Sequence, residues 1–295
     1  MNDLKNKTLI LIGNNPKHDI FYYDWLDRGY NANVIVKDVS KILKPFRKIC
    51  LENKTPLFRL WMNDVYKDLN KFETIILHMT RYTKHLPHYI SKDYPDLRII
   101  CWYWNTVDSY NYAGKLDNPK IEYWSFDKND CEKYGFKYNT QYYCRPNITS
   151  DYKDSDVYFV GLSKNRDDII SSFVDIASKQ NISCNINIIK NYSHYIDYKD
   201  IQESIAKAKA VLEINKENQI GLTLRALESL FFEVKLITNN PMIKKHPIYN
   251  KNNIFIIGED DCSNLSDFIQ SPYDNSVNVF KKDYELDNWF NNFFN

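Results

Sequence analysis

The ten residues from Gln219 to Glu228 combine the residue types that hold a negatively charged ligand at the start of a helix. Gly221 permits close approach of a ligand to the backbone, and Thr223 suits the N-cap of a helix whose free N–H groups attract anions. Arg225 offers a fork of donors for phosphate, and Glu228, on the same helical face, can accept from hydroxyl groups. The spacing fits a diphosphate and ribose site as well as it fits a capped helix whose Arg225 and Glu228 face solvent.

A regular series of short apolar segments surrounds this string and must position it. The predicted strands cover residues 157–161, 184–189, 210–214, 235–238 and 254–257, and the predicted helices 167–180, 201–208 and 222–231. Continuous apolar runs are typical of a parallel sheet that is covered on both faces. Alternation of strands and helices predicts an α/β domain, and ligands of such sheets bind beyond the carboxyl ends of the strands.

The first half of the chain shows the same pattern. Strands are predicted at 8–12, 33–36, 73–79 and 97–104, with weaker candidates at 121–126 and 141–144, and a helix at 22–28. The polar stretch 149–155 separates the two series. We therefore expect two α/β domains, residues 1–150 and 151–280, followed by a terminal segment 281–295.

Three segments of the second half together resemble the donor half of bacterial glycosyltransferases of the GT-B fold, and more narrowly enzymes of capsule and lipopolysaccharide biosynthesis. They are Ala-Val-Leu-Glu-Ile-Asn at 210–215, Gln-Ile-Gly-Leu-Thr-Leu-Arg-Ala-Leu-Glu at 219–228 and Lys-Leu-Ile-Thr-Asn-Asn at 235–240. Tyr-Trp-Ser-Phe-Asp at 123–127, Val-Tyr-Phe-Val-Gly at 157–161 and Trp-Tyr-Trp-Asn at 102–105 support the likeness, which covers most of residues 97–258.

The resemblance implies two Rossmann-like domains that face each other across a cleft, with the final helix returning to the first domain. A nucleotide-sugar donor, preferentially a UDP-sugar, would bind the second domain, and a surface polysaccharide or lipid-linked glycan acceptor the first. The residues that the resemblance assigns to the donor are Gly161, Lys164, Gln219, Gly221, Leu222, Thr223, Arg225 and Glu228. Arg225 would also act in catalysis by stabilising the departing diphosphate.

A general base would have to follow a strand of the first domain. Asp19 and His18, after the first strand, are the favoured candidates, and His78, Arg81 and Asn105 are expected on the acceptor side. A common GT-B pattern places a second glutamate eight residues before Glu228, but Ile220 stands there. The expected reaction is therefore inverting. The alternative is a nucleotide-sugar-binding protein of the same fold that lacks catalysis.

Several ligand classes are not expected. The net charge of +1 argues against a nucleic-acid-coating protein, and the first strand is not followed by the Gly-x-Gly-x-x-Gly of dinucleotide-binding domains. The string Asp154-Ser155-Asp156 precedes a strand rather than following one, so no metal site and no required cofactor are predicted. Six cysteines without a CxxC pair suit reduced thiols in the cytoplasm.

Two stretches suggest surface roles. Residues 41–50 mix four apolar side chains with four basic ones, which suits the inner face of an anionic membrane as well as an ordinary amphipathic helix with its basic face in water. Pro45 requires any such helix to start near that position. At the end of the chain, Trp289, Phe290, Phe293 and Phe294 form one apolar helical face that must be covered.

Overall fold

The computed structural model describes residues 2–13, 21–163, 166–189, 196–215 and 220–295. The chain divides into two compact units, Met1–Asn139 and Thr140–Asn295, and each contains one parallel β-sheet. The division falls before the polar stretch 149–155. The domain limits at 150 and 280 stay predictions.

The first unit contains six parallel strands in the order β2-β1-β3-β4-β5-β6. The strands are β1 (Thr8–Ile12), β2 (Asn31–Val34), β3 (Thr74–His78), β4 (Arg98–Tyr103), β5 (Ile121–Ser125) and β6 (Lys137–Tyr138). The helices are α1 (Asn2–Lys7), α2 (Tyr22–Asp27), α3 (Lys44–Glu52), α4 (Leu86–Asp93) and α5 (Lys128–Tyr134). The direction of winding reverses between β1 and β3.

The second unit contains five parallel strands in the order β11-β10-β9-β7-β8. The strands are β7 (Ser155–Leu162), β8 (Cys184–Ile189), β9 (Ala208–Glu213), β10 (Lys235–Thr238) and β11 (Ile254–Ile256). The helices are α6 (Asp167–Lys179), α7 (Tyr198–Ala206), α8 (Leu224–Phe232), α9 (Leu265–Gln270) and α10 (Leu286–Asn291). Here the winding reverses between β7 and β9.

Each sheet carries its own hydrophobic core, as the apolar runs predict. Every residue of β1, β3 and β10 is buried, and Leu9 and Ile75 belong to the first core, as Leu212 and Ile237 do to the second. Side chains that point to both faces are buried because helices cover both faces. The predicted fold class, two Rossmann-like α/β domains, is confirmed.

One strand prediction is wrong. Residues 141–144 do not join the first sheet, whose sixth strand is instead β6. The N–H of Tyr143 donates to the carbonyl of Tyr284 at 2.8 Å, so this segment pairs with the chain near the C-terminus. The rings of Tyr142 and Trp289 lie 4.4 Å apart between their centroids. The apolar residues at 141–144 therefore pack against the C-terminal segment instead of forming a strand of the sheet.

The aromatic face at the end of the chain is covered. Trp289, Phe290 and Phe293 are buried, and α10 begins after the paired residues Tyr284 and Glu285. All of these contacts lie within the second unit. The return of this helix to the first domain stays a prediction.

Candidate functional site

The second sheet offers a ligand-binding position where its winding reverses. β7 and β9 are neighbours, and the chain leaves them in opposite directions along the sheet, from β7 through α6 to β8 and from β9 through α8 to β10. Such a reversal leaves a crevice beyond the carboxyl ends of the two strands. Gly161 lies near the end of β7, and Glu213 is the last residue of β9.

Thr223 caps α8, as the sequence predicts, and a buried glutamate fixes it in place. The Thr223 hydroxyl accepts from the N–H of Ala226 at 3.3 Å and donates to the Glu213 carboxylate. The Thr238 hydroxyl donates to the other oxygen of Glu213 at 2.5 Å. Burial raises the pKa of Glu213, and the two threonine hydrogen bonds oppose that rise. The end of β9 therefore holds the N-terminus of α8 in position.

Arg225 and Glu228 form an ion pair on the first turns of α8. Arg225 Nη1 lies 2.6 Å from Glu228 Oε2, and Arg225 Nη2 donates to the Val160 carbonyl of β7 at 3.3 Å. The two side chains are 16% and 2% exposed, which excludes the alternative in which both face solvent. The bond to β7 fixes the guanidinium at the crevice.

A chain of hydroxyl groups reaches the other oxygen of Glu228. Tyr198 at the start of α7 donates to Glu228 Oε1 at 2.6 Å, and the Tyr143 and Tyr198 hydroxyls lie 2.9 Å apart. Gln202 Nε2 donates to the Tyr143 hydroxyl at 3.1 Å. Burial raises the pKa of Glu228, while Arg225 and then the Tyr198 hydrogen bond hold it down. With both oxygens paired, Glu228 orients Arg225; a contact with ribose stays a prediction.

Arg166 brings a second guanidinium to the same edge. It donates to the carbonyls of Leu162 and Ile214, at the ends of β7 and β9. Burial lowers the pKa of Arg166, and the positive charge of Arg225 lowers it further. A Cβ at Gly161 would lie 2.9 Å from Arg166 Nη2, so the absence of a side chain gives Arg166 its place.

This arrangement favours an anionic ligand. Two guanidinium groups that repel each other meet beside the N-terminus of a nine-residue helix, whose free N–H groups attract negative charge. Their fork-shaped donors match phosphate oxygens. A diphosphate that carries two or more charges would relieve that repulsion.

The predicted acceptor-side residues lie at the carboxyl edge of the first sheet. His78 ends β3, and its ring lies 5.1 Å from that of Trp25 and 6.1 Å from that of Trp104, between centroids. Burial lowers the pKa of His78 to about 3. The imidazole is therefore neutral at pH 7 and a weak base, since an efficient general base has a pKa near the working pH.

The other two acceptor-side residues differ in their surroundings. Arg81, in the segment after β3, pairs with Glu52 of α3 at 3.0 Å and lies over the Tyr110 ring at 5.3 Å. Asn105, just after β4, is exposed. Both lie beyond strand ends, as expected, but their functional roles stay predictions.

Four predicted site residues, His18, Asp19, Lys164 and Gln219, lie outside the described residues. Gly221 and Leu222 are buried just before the cap of α8. The favoured candidates for the base are thus among the residues that stay predictions.

The sequence interpretation missed Glu213, Arg166 and Tyr198 as site residues. Glu213 had a usable signal, because a carboxylate at the end of an apolar parallel strand lies at the ligand-binding edge. Arg166 had the same kind of signal, because it lies a few residues after the end of β7 and so at the same edge of the sheet. Tyr198 had none, because its contact with Glu228 joins residues thirty positions apart.

A metal site finds no support in the part of the chain that the structure describes. There, no group of three His, Cys, Asp or Glu side chains is arranged to hold a metal ion. Asp156 of the Asp-Ser-Asp string accepts from Ser183 and pairs with Lys209 at 2.8 Å, and these contacts lower its pKa to about 2 against the effect of burial. It fixes the start of β7, away from the strand ends.

Comparison of the fold with solved structures gives whole-chain matches. Alr3699/HepE from Anabaena, solved with UDP, matches with a TM-score of 0.58 and 9% identity over 98% of both chains. The same protein with UDP and glucose matches with a TM-score of 0.54 and 8% identity over 98% of both chains. A glycotransferase of kitacinnamycin matches with a TM-score of 0.51 and 9% identity over 95% of both chains. At such identities the likeness establishes the fold alone.

No protein-family model matches this sequence, and no similar sequence is found among curated proteins.

Proposed function

We propose that the protein is a glycosyltransferase that binds a nucleotide-sugar donor, preferentially a UDP-sugar, at the edge of the second sheet. The observation that carries this proposal is the placement of Arg225 at the N-terminus of α8, bonded to Val160 and to the buried Glu228. A leaving diphosphate gains negative charge in the transition state, and a fixed cation and helix N-terminus stabilise that charge without a metal ion.

Two further observations support this choice of ligand. Arg166 adds a second cation at the same edge, so the site suits the double charge of a diphosphate. Among the structures of similar fold, Alr3699/HepE was solved with UDP and with UDP and glucose. The choice of uridine for this chain rests on that likeness.

For the acceptor, we propose a glycan, either a surface polysaccharide or a lipid-linked precursor, bound at the first unit. Trp104 and Tyr110 offer ring faces near the strand ends there, and Asn105 and Arg81 offer polar groups. Transfer with inversion requires a base near the acceptor hydroxyl, and His18 and Asp19 keep that proposed role. Six free thiols suit the cytoplasm as the proposed location.

A thermal-shift series with nucleotides and nucleotide sugars tests the proposal. UDP or a UDP-sugar is expected to raise the melting temperature more than guanosine, adenosine or cytidine counterparts do. A ligand at about 100 times its dissociation constant adds about 2.7 kcal/mol to the free energy of unfolding. Arg166→Gln is expected to weaken this stabilisation, while Lys209→Gln, at the opposite end of the strands, leaves it unchanged.

Two outcomes separate the alternatives. If no nucleotide changes the melting temperature, both the transferase and the non-catalytic binding protein are excluded. If UDP-sugars stabilise the protein but are never hydrolysed or transferred, the binding protein of the same fold is supported.

A further inference from the structure

The surface of α3 and of the 3-10 helix Pro56–Trp61 exposes apolar side chains that an ordinary amphipathic helix would bury. Thirteen large hydrophobic side chains are exposed within the described ranges, and six of them lie between residues 42 and 60. These six, with the basic residues among them, are called the α3 surface: Ile42, Leu43, Phe46, Ile49, Leu57 and Leu60. Contiguous apolar exposure of this kind marks an interaction site.

The orientation of α3 shows why these residues face outward. Leu51 is 2% exposed and belongs to the first core. At 3.6 residues per turn, Ile49 and Phe46 lie about 160° and about 140° away from Leu51 around the helix. They are 57% and 61% exposed. The helix starts at Lys44, so Pro45 occupies its first turn, where proline is tolerated.

The following 3-10 helix repeats this arrangement. Phe58 is buried and stacks on Tyr89 at 3.6 Å between ring centroids, while Leu57 and Leu60, three residues apart and therefore on one face, are more than half exposed. Each element thus has one anchor in the core and two apolar side chains in water. The alternative of a helix that shows only its basic face to water is excluded.

The charge of this region points to an anionic partner. Residues 39–63 contain six basic side chains and a single acid, Glu52, although the whole chain has a net charge of +1. Glu52 is engaged by Arg81, and no ion pair to Lys41, Lys48 or Lys54 is present among the described residues. Nucleic acid would match the charge but leave the apolar side chains in water, whereas an anionic bilayer accepts both.

We propose that the α3 surface docks onto an anionic phospholipid bilayer, with Phe46 and Ile49 entering the boundary between headgroups and acyl chains. The basic residues around them face the headgroups. Within the described ranges no helix is both long and apolar enough to cross a bilayer.

The α3 surface is joined to the segment that follows β3 at the carboxyl edge of the first sheet. Glu52 at the end of α3 pairs with Arg81 after β3, its carbonyl lies 3.0 Å from His85 Nε2, and the Arg47 guanidinium lies 5.6 Å from the Tyr82 ring. Docking therefore brings the segment after β3 close to the lipid. Resting on the proposed function, the acceptor is then a glycan anchored in that bilayer.

Vesicle co-sedimentation of the full chain tests the docking. Vesicles of phosphatidylcholine mixed with phosphatidylglycerol are expected to bind the protein, and vesicles of phosphatidylcholine alone to bind it much more weakly. Phe46→Ser/Ile49→Ser is expected to lower the partition coefficient by at least about tenfold. Lys41→Gln and Lys48→Gln are each expected to lower it by about fivefold at low salt and by little at high salt.

The matched control is Ile169→Ser/Val279→Ser, which removes two exposed aliphatic side chains from the second unit and is expected to bind vesicles like the parent. The proposal is overturned if the parent does not bind anionic vesicles, or if this control lowers the partition coefficient as much as Phe46→Ser/Ile49→Ser does. A fall in the solution molecular mass of Phe46→Ser/Ile49→Ser also overturns it, because the surface would then join two copies of the chain.

Nucleotide-induced stabilisation is measured on the same variants and separates the two proposals. If Phe46→Ser/Ile49→Ser no longer binds the vesicles but is still stabilised by UDP, docking is supported independently of the donor site. If UDP raises the melting temperature of the parent but the parent does not bind anionic vesicles, the docking proposal is refuted and the proposed function remains.

Discussion

The two sheets have the same winding but carry different chemistry at their carboxyl edges. In each, the first strand lies between the second and the third; Gly13 directly follows β1, and Gly161 is the second-last residue of β7. At Gly13 the neighbour that fills the space is Thr83, whereas at Gly161 it is the guanidinium of Arg166. The first edge continues with the rings of Trp25, His78 and Trp104, and the second with buried carboxylates and arginines.

In open α/β sheets the topology determines where a ligand can bind. The side chains at each edge determine which kind of ligand that position suits. Trp25 and His78 are buried at the first edge, and the rings that a ligand can reach there include the half-buried Trp104 and the exposed Tyr110, which suit an uncharged, hydroxyl-bearing molecule such as a glycan. An edge with two cations suits a diphosphate. The contrast between the edges agrees with the proposal of a donor site in the second unit and an acceptor site in the first, and the following predictions test that proposal.

Arg225→Ala is expected to have the largest effect. The departing diphosphate carries extra charge in the transition state, so the turnover number should fall by about 100-fold or more, as on loss of one transition-state donor. Glu228→Ala is expected to lower the turnover number less than Arg225→Ala does, because the guanidinium stays but loses the carboxylate that orients it. Steady-state kinetics with the nucleotide sugar measure both.

The ion pair complicates Arg225→Ala, because Glu228 would stay buried without its cation, which destabilises a protein by about 3–5 kcal/mol. The double variant Arg225→Ala/Glu228→Gln removes both charges and serves as the control. If that folded double variant turns over at the parent rate, the diphosphate site lies elsewhere and the comparison of the two edges fails.

The sequence predicted strands better than it predicted the site, for a physical reason. Buried parallel strands are continuous apolar runs, so β1, β3 and β10 are readable from local composition. Thr223 was readable as a cap because capping is local. The Tyr198 bond to Glu228 depends on packing between α7 and α8, which no local pattern encodes. The apolar run at 141–144 was wrongly predicted as a strand, because packing against the C-terminal segment requires the same apolar residues as a strand does.

The two glycines are expected to respond differently to substitution by alanine. A Cβ at Gly13 would lie 2.7 Å from Thr83 Cγ2, and Thr83 is held by its bond to the His78 carbonyl at 2.7 Å, so Gly13→Ala should cost about 1–3 kcal/mol of stability. At Gly161 the obstructing atom is the end of a long side chain. Gly161→Ala should therefore displace Arg166 and weaken nucleotide binding at little cost in stability. Urea unfolding and nucleotide titration of both variants check this. Equal losses of stability and equal losses of nucleotide affinity in the two variants would contradict it.

The edges are also expected to respond to acid with opposite sign. Burial lowers the pKa of His78 to about 3, while an unfolded histidine has a pKa of about 6.5. Below about pH 6.5 the unfolded chain binds a proton that the folded chain does not, so stability falls as the pH falls, by about 1.4 kcal/mol per unit. Between about pH 7 and about pH 5 the parent should lose about 2 kcal/mol more than His78→Gln.

Glu228 is the counterpart in the second unit. Its raised pKa means that the folded state binds a proton more tightly than the unfolded state, so this group favours folding more as the pH falls through its folded pKa. Comparison of the parent with Glu228→Gln should show that slope, opposite to the slope for His78. Urea unfolding over the pH range measures both, and the same sign for the two residues would refute the contrast.

The smallest expected effect is the difference between the two tyrosines that support Glu228. Both variants lose the hydrogen bond between the two tyrosine hydroxyls. Tyr198→Phe also loses the bond to the buried Glu228 carboxylate, which costs about 1.5–3 kcal/mol, whereas Tyr143→Phe also loses the bond from Gln202, which costs about 0.5–1.5 kcal/mol. The free energies of unfolding of the two variants should therefore differ by about 1 kcal/mol. Tyr198→Phe should also lower the turnover number modestly, because Glu228 then holds Arg225 less firmly, while Tyr143→Phe keeps the bond between Tyr198 and Glu228 and with it the rate. The N–H of Tyr143 bonds to the Tyr284 carbonyl, and the Tyr142 ring packs on Trp289 of α10. A larger loss of activity in Tyr143→Phe would therefore mean that the terminal segment, rather than the ionic cluster, sets the position of Arg225.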